Sequence, residues 1–233
     1  YQLPVGKTLA DYGLGARATG PADFAVRLVE LATLPGGGQV QQIIGREDSL
    51  FIVLREGRIW EYDLLGNVAT EPFLNVASLR PGFNDSTGYA PSRGLRGFAF
   101  HPNFESNGLV YTTHKEDPDG SIPDYGTDYF ESEYVLSEWN FNQLTDGEPT
   151  YRQLFRIRFE HNFHTSQHLG FGPEGYLYAC FGDNGAKTGG VSYYSQLTSV
   201  SDVSNVGQDF DTIQAGVIRI HPLDPSSKTD GEL

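Results

Sequence analysis

Apolar residues recur along this chain in short runs cut by Gly, Pro, Asn and Asp, with almost no stretch at helical spacing. Strands bury such runs more readily than helices do, so the pattern predicts an all-β protein. Three modules share one opening of strand, turn and strand. In the first, residues 41–45 and 49–54 are followed by Glu56-Gly57 and a third run at 58–62. The second opens at 94–102, turns through 103–107 and continues at 108–113; after a long polar insert it adds strands at 134–139 and 151–159. The third pairs 167–172 with 176–182 and takes its last strand from 216–220. The irregular period suits the blades of a β-propeller separated by variable loops, with boundaries roughly at 35–80, 90–160 and 164–222 inside a single domain over 1–233. A closed propeller takes roughly 4 to 8 blades, so about three blades imply that more of the domain follows residue 233. The same strands would also build a compact sandwich, and periodicity does not separate the two.

The third module carries the chemistry. Gly172-Pro173-Glu174-Gly175 joins a proline that fixes φ to a glycine that allows positive φ, which folds the chain back as an antiparallel hairpin. The start of one strand then lies beside the end of the other, so His164 and Asp183 are expected at one edge. A carboxylate that accepts the proton of one imidazole nitrogen fixes the tautomer and frees the other nitrogen to take a substrate proton. The pair is a candidate general base, although two surface residues capping each other have the same spacing. His161, His164 and His168 also cluster, but strand alternation sets His164 and His168 on one face and His161 on the other, which speaks against zinc. His101, beside Pro102, reads as a structural histidine bonded to backbone. Cys180 is the single cysteine, which excludes an internal disulfide, and its apolar neighbours predict a buried small residue.

Charge narrows the field further. With 16 basic and 30 acidic residues, the net charge of −14 suits neither a phosphate-tracking nucleic-acid surface nor an anionic membrane. No run approaches the roughly 20 consecutive apolar residues of a membrane span. An opening Tyr1 in place of Met predicts a processed or trimmed N-terminus, and a secreted or periplasmic protein is the expectation. Asn84-Asp85-Ser86 has the form of a glycosylation sequon. Seven acidic residues and no basic one lie between Glu116 and Glu133. They lack the ligand spacing of a calcium loop and read as a solvated acidic loop, whose Tyr125, Tyr129 and Phe130 could line a sugar-binding rim.

Three stretches, at 94–104, 164–185 and 216–220, together resemble the glucose/sorbosone dehydrogenase family, the soluble sugar dehydrogenases that use pyrroloquinoline quinone. Their residues include Gly94-Leu95-Arg96-Gly97-Phe98-Ala99-Phe100-His101-Pro102-Asn103-Phe104, and their order and spacing match as well. The resemblance spans roughly residues 35–233. It implies a six-bladed propeller with the quinone over the central channel, of which this chain looks like the N-terminal half. It also implies that His164 is the catalytic base, oriented by Asp183, which removes the anomeric proton of an aldose or related sugar while hydride passes to the quinone. By the same likeness Ser92, Arg93, Asn184 and Thr188 stand at cofactor-contacting positions, and Phe163 and His168 at substrate-facing ones. Calcium polarises the quinone in this family. Its ligands, with the main arginine and lysine contacts to the quinone, are expected beyond residue 233, and an external electron acceptor completes turnover.

The chain departs from the family pattern in three places. Phe163 stands where a polar substrate contact is expected, Ser92 and Arg93 where a glutamine is typical, and Thr188 in place of another polar contact. Relatives of the hedgehog-interacting type bind protein partners and oxidise nothing, so a non-enzymatic binding propeller is one alternative. A calcium-dependent lactone hydrolase on a similar propeller is another, and it calls for acidic and asparagine ligands converging from several blades, which the sequence does not display.

Overall fold

Alternating apolar positions become strands throughout the residues that the computed structural model describes, namely 30–63, 65–85, 93–126, 132–159, 164–165, 168–182 and 213–222. The first module forms β1 (Val40–Arg46), β2 (Ser49–Leu54), β3 (Arg58–Asp63) and the short β4 (Leu74–Asn75), an antiparallel meander in that order. It leads into a one-turn helix, α1 (Val76–Leu79), capped by Asn75, whose Oδ1 accepts the Ser78 N–H at 3.2 Å. The second module forms β5 (Leu95–Phe100), β6 (Leu109–Glu116), β7 (Ser132–Thr145) and β8 (Glu148–Phe159), again in sequential order. Its expected turn at 103–107 contains a helical turn, α2 (Phe104–Asn107), closed by Gly108 at φ 66°. The third sheet joins β9 (His168–Phe171), β10 (Leu177–Cys180) and β11 (Val217–Ile220), with β10 central.

The middle sheet is buried on both faces. Successive strand residues point to opposite sides, so Phe98 and Val110 join Phe51, Val53 and Ile59 of the first sheet, while their chain neighbours Ala99 and Tyr111 join Leu169, Leu177 and Ala179 of the third. That is why its strands read as nearly continuous apolar runs. The Trp139 indole lies in the first of these cores and donates to Thr112 Oγ1 at 2.9 Å, which satisfies its only polar group. The first strands of the sheets pack side by side, β1 on β5 and β5 on β9. The Gln42 side-chain carbonyl accepts the Phe98 N–H across the first of these seams at 3.1 Å. Stacked meanders with neighbouring first strands are propeller blades, about three here.

The acidic insert differs from the expected solvated loop. Strand β6 runs on to Glu116 and β7 begins at Ser132, so Glu116 and Glu133 lie directly opposite each other in the ladder, 2% and 0% exposed. Facing carboxylates repel, and Arg156 of β8 separates them: one amino group meets Glu133 and the other meets Glu116 at 2.7 Å. Arg80 donates to Glu116 at 2.7 Å, and Arg158 donates to Glu133 at 2.8 Å. His114 Nε2 lies 3.0 Å from Glu116; because a carboxylate only accepts, that nitrogen carries the proton. Burial pushes the His114 imidazole below its ordinary pKa, and the Glu116 bond does not reverse this. Burial alone would raise the Glu116 carboxyl, yet hydrogen bonds from His114 and Arg80 outweigh it and hold the group well below the usual carboxylate range. Among the described residues of the insert, the exposed ones run from Asp117 to Ile122 and include Asp124 and Gly126. Tyr125 packs against the core between the second and third sheets, and Tyr129 and Phe130 lie outside the described residues.

Candidate functional site

Because the first strands lie side by side, the residues leading into β5 and β9 become candidates for one shared face. Gly94 makes the β5 entry possible. At φ 81° it occupies a backbone region that L-residues rarely adopt, and a side chain there would collide with the Arg55 carbonyl and meet Arg55 Cγ at 2.9 Å. The Leu95 N–H donates to that carbonyl at 2.9 Å, so the segment bearing Arg93 and Arg96 is fastened to the end of β2. From there Arg93 Nη1 donates to Asn84 Oδ1 at 3.3 Å, and Arg96 Nη1 donates to Gln41 Oε1 at 2.6 Å.

His164 sits four positions before β9 in a bend at φ 47°, an uncommon conformation for a residue with a side chain. The bend separates two neighbours: His164 is exposed, whereas Thr165 is fully buried and its Oγ1 is hydrogen-bonded to the Tyr134 hydroxyl of β7. Lys115 Nζ lies 4.6 Å from the centroid of the Tyr134 ring. Burial raises the Tyr134 phenol above its ordinary pKa, while the Thr165 bond and the charges of Arg96 and Arg93 pull it down. Arg93 and Arg96 are therefore within electrostatic reach of the tyrosine that anchors the residue next to His164.

Among the residues singled out from sequence, His164 adjoins the Thr165–Tyr134 bond, and the charge of Arg93 acts on the Tyr134 phenol. His168 opens β9 with its side chain exposed, and its N–H donates to Cys180 Sγ at 3.3 Å. The hairpin forms as predicted, with Phe171 opposite Leu177 and His168 opposite Cys180, and Cys180 is half-buried where a buried residue was expected. Asp183, Asn184, Thr188, Ser92, Phe163 and His161 lie outside the described residues. His101 is structural, as expected: its Nδ1 accepts the Asn103 N–H at 3.0 Å and lies 2.8 Å from Asn107 Nδ2. Sequence reasoning missed Tyr134, Thr165, Arg55, Arg96 and Lys115. The available signal was charge inside apolar strand runs, at Arg96 and Lys115, where only paired or functional cations are tolerated.

The Glucose / Sorbosone dehydrogenase family model matches residues 43–219. The chain belongs to this family. Hedgehog-interacting protein of Homo sapiens is 30% identical over 136 residues, covering 58% of this chain and 19% of that protein. Quinoprotein glucose dehydrogenase B of Acinetobacter calcoaceticus is 27% identical over 154 residues, covering 63% of this chain and 30% of that protein. A crystal structure of an oxidoreductase described as glucose dehydrogenase, from Thermus thermophilus, superposes with a TM-score of 0.52 at 18% identity and covers 82% of this chain and 46% of its own. That likeness bears on the fold. The chain spans less than a third of either relative and about half of the Thermus structure.

Proposed function

We propose that the full-length protein oxidises an aldose or a related sugar, with His164 as the base that takes the hydroxyl proton. The observation that carries this reading is the bend before β9, which holds His164 exposed while its neighbour Thr165 is locked in the core by Tyr134. A base fixed at its backbone yet open to solvent meets the geometric demand of proton abstraction. Asp183, three residues beyond β10, is assigned the role of holding the imidazole tautomer. His168 and Phe163 are assigned to the sugar, and Ser92, Asn184 and Thr188 to the cofactor's polar groups.

The family's quinone carries carboxylates, and the described residue whose chemistry suits them is Arg93, whose charge acts on the Tyr134 phenol behind the base. Arg93 would hold the group by charge. When bound, the quinone supplies the acceptor for the hydride. Among the described residues no group of three His, Cys, Asp or Glu gathers as a metal site.

The test is dye reduction by the full-length protein loaded with pyrroloquinoline quinone and calcium, run against a panel of aldoses. Turnover is expected, and His164→Ala should lower kcat by roughly 10²- to 10⁴-fold, the usual contribution of a general base. Absence of turnover with every sugar in a folded, quinone-binding preparation would sink the reading. A second reading, a binding propeller of the hedgehog-interacting type, is favoured by the 30% identity with Hedgehog-interacting protein. It predicts saturable binding of a hedgehog-type ligand by calorimetry, unaffected by His164→Ala, and no sugar oxidation.

A further inference from the structure

We propose that Asn84, oriented by Asp117, is a positioning residue that holds the Arg93 guanidinium in place for its ligand; the ligand's identity rests on the quinone contact assigned to Arg93 above. Asn84 ends a short stretch that pairs with the last residues of β6. Its N–H donates to the Lys115 carbonyl at 2.9 Å, and the Asp117 N–H donates to the Gly82 carbonyl at 2.8 Å. The Asn84 carbonyl accepts the Gly94 N–H at 2.8 Å, while the Lys115 N–H donates to the Gly94 carbonyl at 3.1 Å. Backbone bonds thus fasten together the entry to β5, the end of β6 and the stretch at 82–84. The Asn84 side chain starts from a fixed point close to Arg93.

The two neighbours of the amide decide which way it turns. A guanidinium only donates and a carboxylate only accepts, so the Asn84 oxygen belongs toward Arg93 and its nitrogen toward Asp117. That is the arrangement found: Arg93 Nη1 donates to Asn84 Oδ1 at 3.3 Å, and Asn84 Nδ2 donates to Asp117 Oδ1. Asp117 is exposed, whereas Asn84 and Arg93 are half-buried, so the relay runs from solvent inward. The acceptor that Asn84 presents is neutral and steadies the guanidinium without the charge cancellation that a direct carboxylate contact brings. An arginine side chain has several rotatable bonds, and restricting them before a ligand arrives lowers the entropic cost of binding it. Asn84 also begins the Asn84-Asp85-Ser86 sequon, and its amide has this task within the fold apart from carrying a glycan.

The experiment compares three variants of the full-length protein with the parent: Asn84→Leu, Arg93→Met, and the exchange that combines Asn84→Asp with Asp117→Asn. Asn84→Leu should weaken binding of pyrroloquinoline quinone by about tenfold in a fluorescence titration, with kcat at saturating quinone close to the parent's. The exchange keeps an acceptor toward Arg93 and a donor–acceptor pair behind it, so most of the affinity should return. In an Arg93→Met background, Asn84→Leu should weaken binding no further. Phenylglyoxal modification of Arg93, followed by peptide mass spectrometry, reads the tether without the quinone; it should be faster in Asn84→Leu and parental in the exchange. The proposal is overturned by unchanged affinity or an unchanged modification rate in Asn84→Leu, by an exchange that restores neither, or by losses that add to those of Arg93→Met. A parent that binds no quinone while Asn84→Leu speeds modification supports the tether and sinks the dehydrogenase reading instead. Should Asn84→Leu fail to fold, Asp117→Ala at its exposed position decides, parental affinity and modification rate counting against the proposal.

Discussion

Arg156 is the residue on which the second sheet's ionic cluster turns. Three acidic groups, Glu116, Glu133 and Asp119, face Arg80, Arg156 and Arg158, with His114 neutral beside them. Replacing Arg156 with Met leaves two buried carboxylates face to face, so denaturant unfolding should register a loss of about 3–5 kcal/mol. Adding Glu116→Gln and Glu133→Gln to that variant should restore part of it. The same cluster sets an acid limit. His114 titrates below its ordinary 6.5 when folded, so the unfolded chain binds more protons as pH falls through that value and stability declines. Glu116 is depressed as well, and its contribution, intact above 4.5, is lost progressively at lower pH. The melting temperature should therefore fall from pH 7 toward pH 4, with a shallower slope from 7 to 5 in His114→Gln; a flat profile would contradict the assignment. None of this was legible from the acidic insert read alone. Its partner arginine lies 23 positions beyond Glu133 and 40 beyond Glu116, and local charge counting cannot see a pairing made by strand register.

At the scale of elements, alternation and turn chemistry carried the reading well. The hairpin of β9 and β10 was predictable from its Gly-Pro-Glu-Gly turn because that turn fixes the register locally. Strand β6 outruns its expected end and β7 its expected start because the facing Glu116 and Glu133 are neutralised by Arg80, Arg156 and Arg158 and remain in the ladder. The entry to β5 was legible as a motif but not as a constraint, since its tight approach to Arg55 exists only once two sheets have packed. Gly94→Ala should accordingly cost more than about 2 kcal/mol, combining an unfavourable φ with a backbone collision, as measured by chemical denaturation. The anchor of His164 is a second interelement feature: Tyr134→Phe removes the partner of a buried Thr165 hydroxyl and should destabilise by roughly 1–3 kcal/mol. If the anchor positions the base, the same variant lowers kcat for sugar oxidation and leaves KM nearly unchanged. A proportionate loss of folded protein with normal kcat would make the bond merely structural.

At the scale of the whole molecule, the first and third sheets share no core cluster among the described residues; each packs on the middle one. Amide exchange should follow this layout, slowest in β5, β6 and β7 and faster in β1 and β11, where Ile43 and Val217 are 59% and 65% exposed. Exchange that is slowest in β1 would refute that ordering. The two-sided burial of the middle sheet has an evolutionary corollary. A strand with one wet face can accept new polar residues at every second position without structural penalty, whereas β5 offers drift no such free lane. Novelty is pushed to the ends of its strands, where the chain leaves the stack, as at Arg93, two positions before β5.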